Sequence, residues 1–195
     1  NNVEKESEMD TASTEMSENS MVNNDDMNNV APDLKISPIS HATFVMEWNG
    51  NVIYVDPTGG ASAFEGFPAA DYVLVTDIHG DHMDQATLDA VVTEKSMLIL
   101  PKAVKEKLTG FDTAKVMANG QTSTLGDVRI SAIPMYNITE GRLDKHVKGR
   151  GNGYVLEIDG YRIYISGDTE DIDEMRALEN IDLAFLCMNL PYTMD

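Results

Sequence analysis

Apolar and polar positions along the chain fall into the patterns that paired strands require. Thr43-Phe44-Val45-Met46-Glu47-Trp48 leads into Asn49-Gly50 and out through Asn51-Val52-Ile53-Tyr54-Val55-Asp56. Asn-Gly between two such runs predicts a β-hairpin, because a type I′ turn requires positive φ at both central residues. Tyr154 to Ile158, Asp159-Gly160 and Tyr161 to Ser166 predict a second hairpin by the same logic. Tyr72-Val73-Leu74-Val75-Thr76 is a short, β-branched apolar run of the kind buried on both faces, and Met97 to Leu100 and Leu183 to Met188 read alike. Val128 to Ile133 alternates as a strand. Asp84 is placed to cap a helix from Gln85 to Glu94, with Leu88, Val91 and Val92 on one face. Pro101 suits the first turn of a short helix through Leu108, which Gly110 helps to end, and Glu170 to Leu178 is a further helical segment. Hairpins interleaved with strand–loop–helix units predict an α/β protein of layered sheets covered by helices.

Composition divides the chain unevenly. Residues 1–33 hold nine carboxylates against the single Lys5, with seven asparagines and no aromatic residue. Such a stretch buries too little apolar surface to offset its chain entropy, so it is expected to be a disordered acidic tether. Residues 34–195 are then the folded domain. They carry 24 acidic and 13 basic side chains, a net −11. That surface repels phosphate backbones and anionic headgroups, which argues against nucleic acid or a membrane surface as partner. No apolar run approaches the ~20 residues of a membrane span. The one cysteine, Cys187, excludes an internal disulfide and a multi-cysteine zinc site, and its apolar surroundings read as a buried strand. A chain beginning Asn1-Asn2 with a polar spacer looks like a mature product after removal of an export signal. The expected location is periplasmic or secreted, with a lipid anchor as one form of it. A trimmed cytoplasmic chain would begin the same way.

The segment that carries chemistry is Thr76-Asp77-Ile78-His79-Gly80-Asp81-His82. Four ligand-type side chains fall within six positions, after a buried strand and before a helix. A loop at a strand's carboxyl end lets side chains converge while the strand holds the backbone. Imidazole with carboxylate suits zinc, and also manganese or iron. Alternation lets Asp77 and His79 face one position and Asp81 and His82 a second. A polar loop that merely caps the helix is the plainer alternative, and the ligand density argues against it.

These residues resemble the T-H-x-H-x-D-H signature of the metallo-β-lactamase superfamily, with Asp77 where the first His is usual. His146-Val147-Lys148-Gly149-Arg150-Gly151-Asn152-Gly153-Tyr154 resembles that family's glycine-rich loop with its third histidine, and Ser166-Gly167-Asp168-Thr169 its S-G-D-T element. His41-Ala42-Thr43-Phe44, Pro134-Met135-Tyr136-Asn137 and Pro191-Tyr192-Thr193-Met194-Asp195 are similar to the lactonase-like branch related to ascorbate-6-phosphate lactonase. The resemblance implies an αββα sandwich. It implies that Asp77, His79 and His146 hold one metal, Asp81 and His82 a second, and that Asp168 bridges both. It further implies one or two zinc ions, with manganese or iron admitted by the Asp77 oxygen. The catalytic residues would be Asp81 and Asp168, serving a metal-bound hydroxide that attacks a lactone, ester or phosphoester of a small molecule. His41, Tyr136, Asn137 and Tyr192 would contact substrate. The family's last histidine lies beyond the segment resembling 191–195, so the domain is expected to be truncated at its C-terminus. The competing reading is a catalytically silent metal- or ligand-binding module of the same fold. A homo-oligomer is compatible with either.

Arg142, Lys145, Lys148 and Arg150 form a basic group around His146 that would attract an anionic substrate. Asp56-Pro57 ends a strand and either supports the metal loop or simply makes a turn. Gly149, Gly151 and Gly153 precede a strand, which rules out a nucleotide-binding loop.

Overall fold

Each hairpin expected from the sequence sits at the heart of one of two sheets. The computed structural model describes residues 32–194; residues 1–31, most of the expected tether, lie outside the described residues. The first sheet runs β1 (Leu34–Ser40), β2 (Thr43–Trp48), β3 (Asn51–Val55), β4 (Tyr72–Leu74), β5 (Met97–Leu100) and β6 (Lys115–Val116), in sequence order. β1 to β3 pair antiparallel and β3 to β6 parallel. The second sheet has the order β11 (Leu183–Phe185), β10 (Tyr161–Ile165), β9 (Gly151–Ile158), β8 (Val128–Met135), β7 (Thr122–Leu125). Asn49 and Gly50 take φ of 48° and 80°, and Asp159 and Gly160 take 50° and 83°, as type I′ turns demand.

Period-2 alternation divides the apolar residues between two cores. Met46, Trp48, Ile53, Val55, Leu74 and Ile99 of the first sheet meet Ile130, Tyr154, Leu156, Ile163 and Ile165 of the second. Their neighbours Val45, Tyr54, Val73, Val75, Leu98 and Leu100 face the other way, onto Leu88 and Val91 of α1 (Gln85–Val91) and onto Val104 and Leu108. Val104 belongs to α2 (Lys102–Lys105).

α1 stops at Val91 rather than Glu94. Val92 is already extended at ψ 118°, and the run Val91-Val92-Thr93 is β-branched, which disfavours another turn. Asp84 caps α1 by accepting from the Ala86 and Thr87 amides. Of Glu170–Leu178 only one turn is helical, α3 (Asp173–Arg176). The buried strand expected over 183–188 ends at Phe185, is only part-buried, and leaves Leu186 and Met188 exposed.

The two sheets are hydrogen-bonded to each other where the metal loop begins. The Asn152 amide donates to the Thr76 carbonyl at 2.9 Å, and the Tyr154 hydroxyl to the Val75 carbonyl at 2.9 Å. Gly151 permits this approach, because a Cβ there would lie 2.8 Å from the Thr76 carbonyl oxygen.

Candidate metal centre

The loop after β4 folds back on itself, with the His82 and Met83 amides both donating to the His79 carbonyl. From that turn the side chains divide into two groups. Asp77 and His79 meet His146, and Asp81 and His82 meet Asp168; in each group one donor atom per residue lies within 4.8 Å of the others. Asp168 joins the groups. Its Oδ2 lies 3.2 Å from His82 Nε2 and 3.1 Å from His146 Nε2. Asp168 hangs from Gly167, whose φ of 59° turns the chain as β10 ends.

Each imidazole at the junction is held from behind. His82, only 1 % exposed, presents Nδ1 to Asp56 Oδ2 at 2.8 Å. Asp56 is fully enclosed and accepts the Thr76 amide and hydroxyl, both at 2.7 Å. Of the two readings of Asp56, the geometry gives the supporting one, with φ of 44° aiming the residue inward. His146 Nδ1 meets Asn137 Oδ1 at 2.8 Å, and the Asn137 amide donates to the Tyr192 carbonyl at 2.7 Å. These contacts leave Nε2 of both rings facing Asp168. His82 Nε2 is buried and, despite its closeness to Asp168, has no partner in hydrogen-bonding geometry. A buried imidazole nitrogen aimed at carboxylate oxygens and left unpaired is what a cation-binding site provides. The donor set of three imidazoles and three carboxylates therefore fits divalent transition metals.

The clustered charges shift the titrating groups in different directions. Burial pushes the His82 imidazole down, but Asp56 and Asp168 outweigh it and raise it to about 11. Burial would raise the Asp168 carboxyl, yet the imidazoles of His146 and His82 beside it hold it well below the usual carboxylate range. His79 moves the other way. Burial lowers it, and Arg150 and His146 lower it further against the pull of Asp77 and Asp81.

The expected substrate residues part company. His41 sits in the turn between β1 and β2 at φ 51°, with Nε2 3.1 Å from Asp81 Oδ2. It borders a cavity of about 600 Å³ with His82, Asp168, Phe44, Phe185 and Met188. Tyr136, Asn137 and Tyr192 do not line that cavity. The Tyr136 hydroxyl donates to Glu174, and Lys148 lies 4.2 Å over its ring. Both ends of the Asn137 amide are engaged, and Tyr192 is exposed.

The basic group around His146 is already matched. Arg142 pairs with Glu170, Lys145 with Asp144 and Lys148 with Glu174. Arg150 grips Asp77, Nε to Oδ1 at 3.0 Å and Nη2 to Oδ2 at 2.7 Å. Sequence reasoning did not find this pair. The available signal was an Asp at an imidazole's position in a buried loop, which demands a nearby cation.

Residues 35–195 match the model of a family described as Beta-lactamase superfamily domain. A UPF0173 metal-dependent hydrolase of Flavobacterium johnsoniae is 31 % identical over 177 residues, covering 83 % of this chain and 75 % of its own length. A UPF0173 metal-dependent hydrolase of Pyrococcus abyssi is 28 % identical over 173 residues, with the same coverage of both chains. A crystal structure from Parabacteroides distasonis, assigned to the metal-dependent hydrolases, superposes with a TM-score of 0.77 at 40 % identity. That superposition covers 84 % of this chain and 74 % of the other. With the family match spanning the two sheets and all six clustered side chains, this chain belongs to the β-lactamase superfamily.

Proposed function

We propose that the chain is a metal-dependent hydrolase acting on a small-molecule lactone, ester or phosphoester. The observation that carries this is the pair of donor groups joined through Asp168 beside an open cavity of about 600 Å³. Asp77, His79 and His146 on one side, and Asp81, His82 and Asp168 on the other, are the residues that would hold divalent cations. Bound there, such cations supply Lewis acidity, which lowers the pKa of water and polarises the oxygen of a scissile bond. Zinc, manganese and iron all suit a mixed imidazole and carboxylate set.

The chain's own residues set the rest. Asp81 is about half exposed, with a side chain 46 % accessible, and faces His41. The pair is placed to orient a water and to carry a proton toward a leaving group. The cavity falls in the size range of small-ligand pockets. Its apolar wall of Phe44, Ile165, Phe185 and Leu186 accepts the carbon skeleton, while His82 and Asp168 line the reacting side. The names of the relatives support the reaction type and leave the substrate open.

The test is to purify the chain without chelator, measure its metal content, and assay lactone, ester and phosphoester panels with added zinc or manganese. At least one equivalent of metal and turnover of one panel are expected. A chain that binds no metal sinks the reading, and one that loads fully but turns nothing over is the binding module instead.

A further inference from the structure

Asp77 is wholly enclosed, and a buried carboxylate needs a compensating cation. In this chain that cation is covalently part of the protein. Arg150 meets both Asp77 oxygens in a fork, the strongest geometry for such a pair. The same Nη2 lies 3.3 Å from His79 Nε2, so it touches two of the three side chains in the first group. A further bond from Nη2 to the Lys145 carbonyl, at 2.7 Å, fixes the guanidinium in place. Arginine keeps its charge at every working pH, so the compensation is permanent. Among the described residues no lysine or arginine pairs with the second group, whose basic neighbour is the imidazole of His41, 3.1 Å from Asp81. It offers two carboxylates, Asp81 and Asp168, and behind His82 stands a third, Asp56.

The formal charges therefore differ. Asp77 and Arg150 cancel, so the first group's own carboxylate is neutralised, whereas the carboxylates of the second, Asp81 and Asp168, contribute −2 with no arginine or lysine against them. A divalent ion entering the first group approaches a full positive charge already bound to Asp77, the one carboxylate this group does not share.

We propose that Arg150 is a resident counter-cation, so that the chain binds one divalent ion tightly, at Asp81, His82 and Asp168, and a second one far more weakly. This rests on the metal-dependent reading above but goes beyond it, by making the two positions unequal. Asp77 then serves as a structural anchor for the His146 loop when one ion is bound.

The test is stoichiometric and needs no substrate. Strip the full chain with chelator, then titrate Zn²⁺ alone, reading bound metal by equilibrium dialysis and heat by calorimetry. One tight equivalent is expected, with the second ion about 10–100-fold weaker, the range that changes next to metal ligands produce. Arg150→Met keeps the length and removes the charge, and it should draw the second ion toward the first in affinity. Arg150→Lys keeps the charge and should stay near one equivalent. If Arg150→Met does not fold, Asp77→His with Arg150→Met leaves no buried charge and should bind two equivalents. Two ions of similar affinity in the unaltered chain overturn the proposal, as does an Arg150→Met or double variant that still holds one. Zero equivalents in the unaltered chain is a different result, because it removes the hydrolase reading itself.

Discussion

One six-residue loop feeds two donor groups, and what stands behind each group makes them different. In the first, a carboxylate, Asp77, is backed by a cation, Arg150. In the second, an imidazole, His82, is backed by an anion, Asp56. The first arrangement withdraws electron density from the donor and the second adds it, since an imidazole sharing its other nitrogen with a carboxylate becomes a stronger ligand. Ligand type alone would make the groups near equals. The contacts behind the ligands decide which one favours a cation.

The largest effect should come from the residue both groups share. Asp168→Asn keeps the shape and removes the charge that faces His82 and His146. Activity on any substrate found should fall on the order of 10²–10³-fold, the usual loss when a preorganised charge is removed from a reacting site. Metal content should fall with it. An unchanged metal content would mean that Asp168 holds no cation.

Asp56→Asn probes the second group alone. It removes the anion behind His82 and leaves the Thr76 hydroxyl a poorer partner. Metal affinity should drop about 10–100-fold, with about 1–3 kcal/mol of stability lost for the buried polar groups left imperfectly paired. Calorimetric titration and thermal unfolding measure the two effects separately. An unchanged affinity would break the comparison, because Asp56 would then be no more than a turn residue.

Protons should report the same asymmetry. In the metal-free chain His82 is raised from 6.5 to about 11. Its proton's stabilisation is therefore complete below 6.5 and is lost as pH rises through about 11. A cation entering the second group displaces that proton, so near pH 8 each ion bound should release about one, and affinity should climb about tenfold per pH unit from 7 to 9. His79 is shifted down, first by burial, and has no such proton to give. Titrations in buffers of different ionisation enthalpy count the protons. Release of none would remove His82 from the cation's ligands.

What the sequence made legible follows from the range of the forces involved. The hairpins and four of the six clustered side chains are written in local patterns, Asn49-Gly50, Asp159-Gly160 and the 77–82 loop, whereas His146 and Asp168 enter only through the family resemblance. β1, β6 and β7 were missed because Pro38 interrupts the first, the second is two residues long, and Thr122–Leu125 is mostly polar. All three are held by neighbours rather than by their own pattern. The Arg150–Asp77 pair spans 73 positions, and no spacing rule connects them. Asn137 is a substrate residue only by the family resemblance, and its amide bonds at both ends, to His146 and to the Tyr192 carbonyl.

That last placement sets up the smallest expected effect. Asn137→Ala removes the acceptor behind His146, one hydrogen bond worth about 1 kcal/mol. Metal binding that involves His146 should weaken by about tenfold or less, with KM almost unchanged. Tyr192→Ala should do still less, because Asn137 bonds to the Tyr192 backbone carbonyl, which alanine keeps. The ring itself is exposed and lies outside the cavity. If Tyr192→Ala instead raised KM several-fold while leaving metal content intact, the ring would be reaching substrate after all. The binding surface would then extend from the cavity across to the His146 side, joining the two groups through the ligand as well as through Asp168.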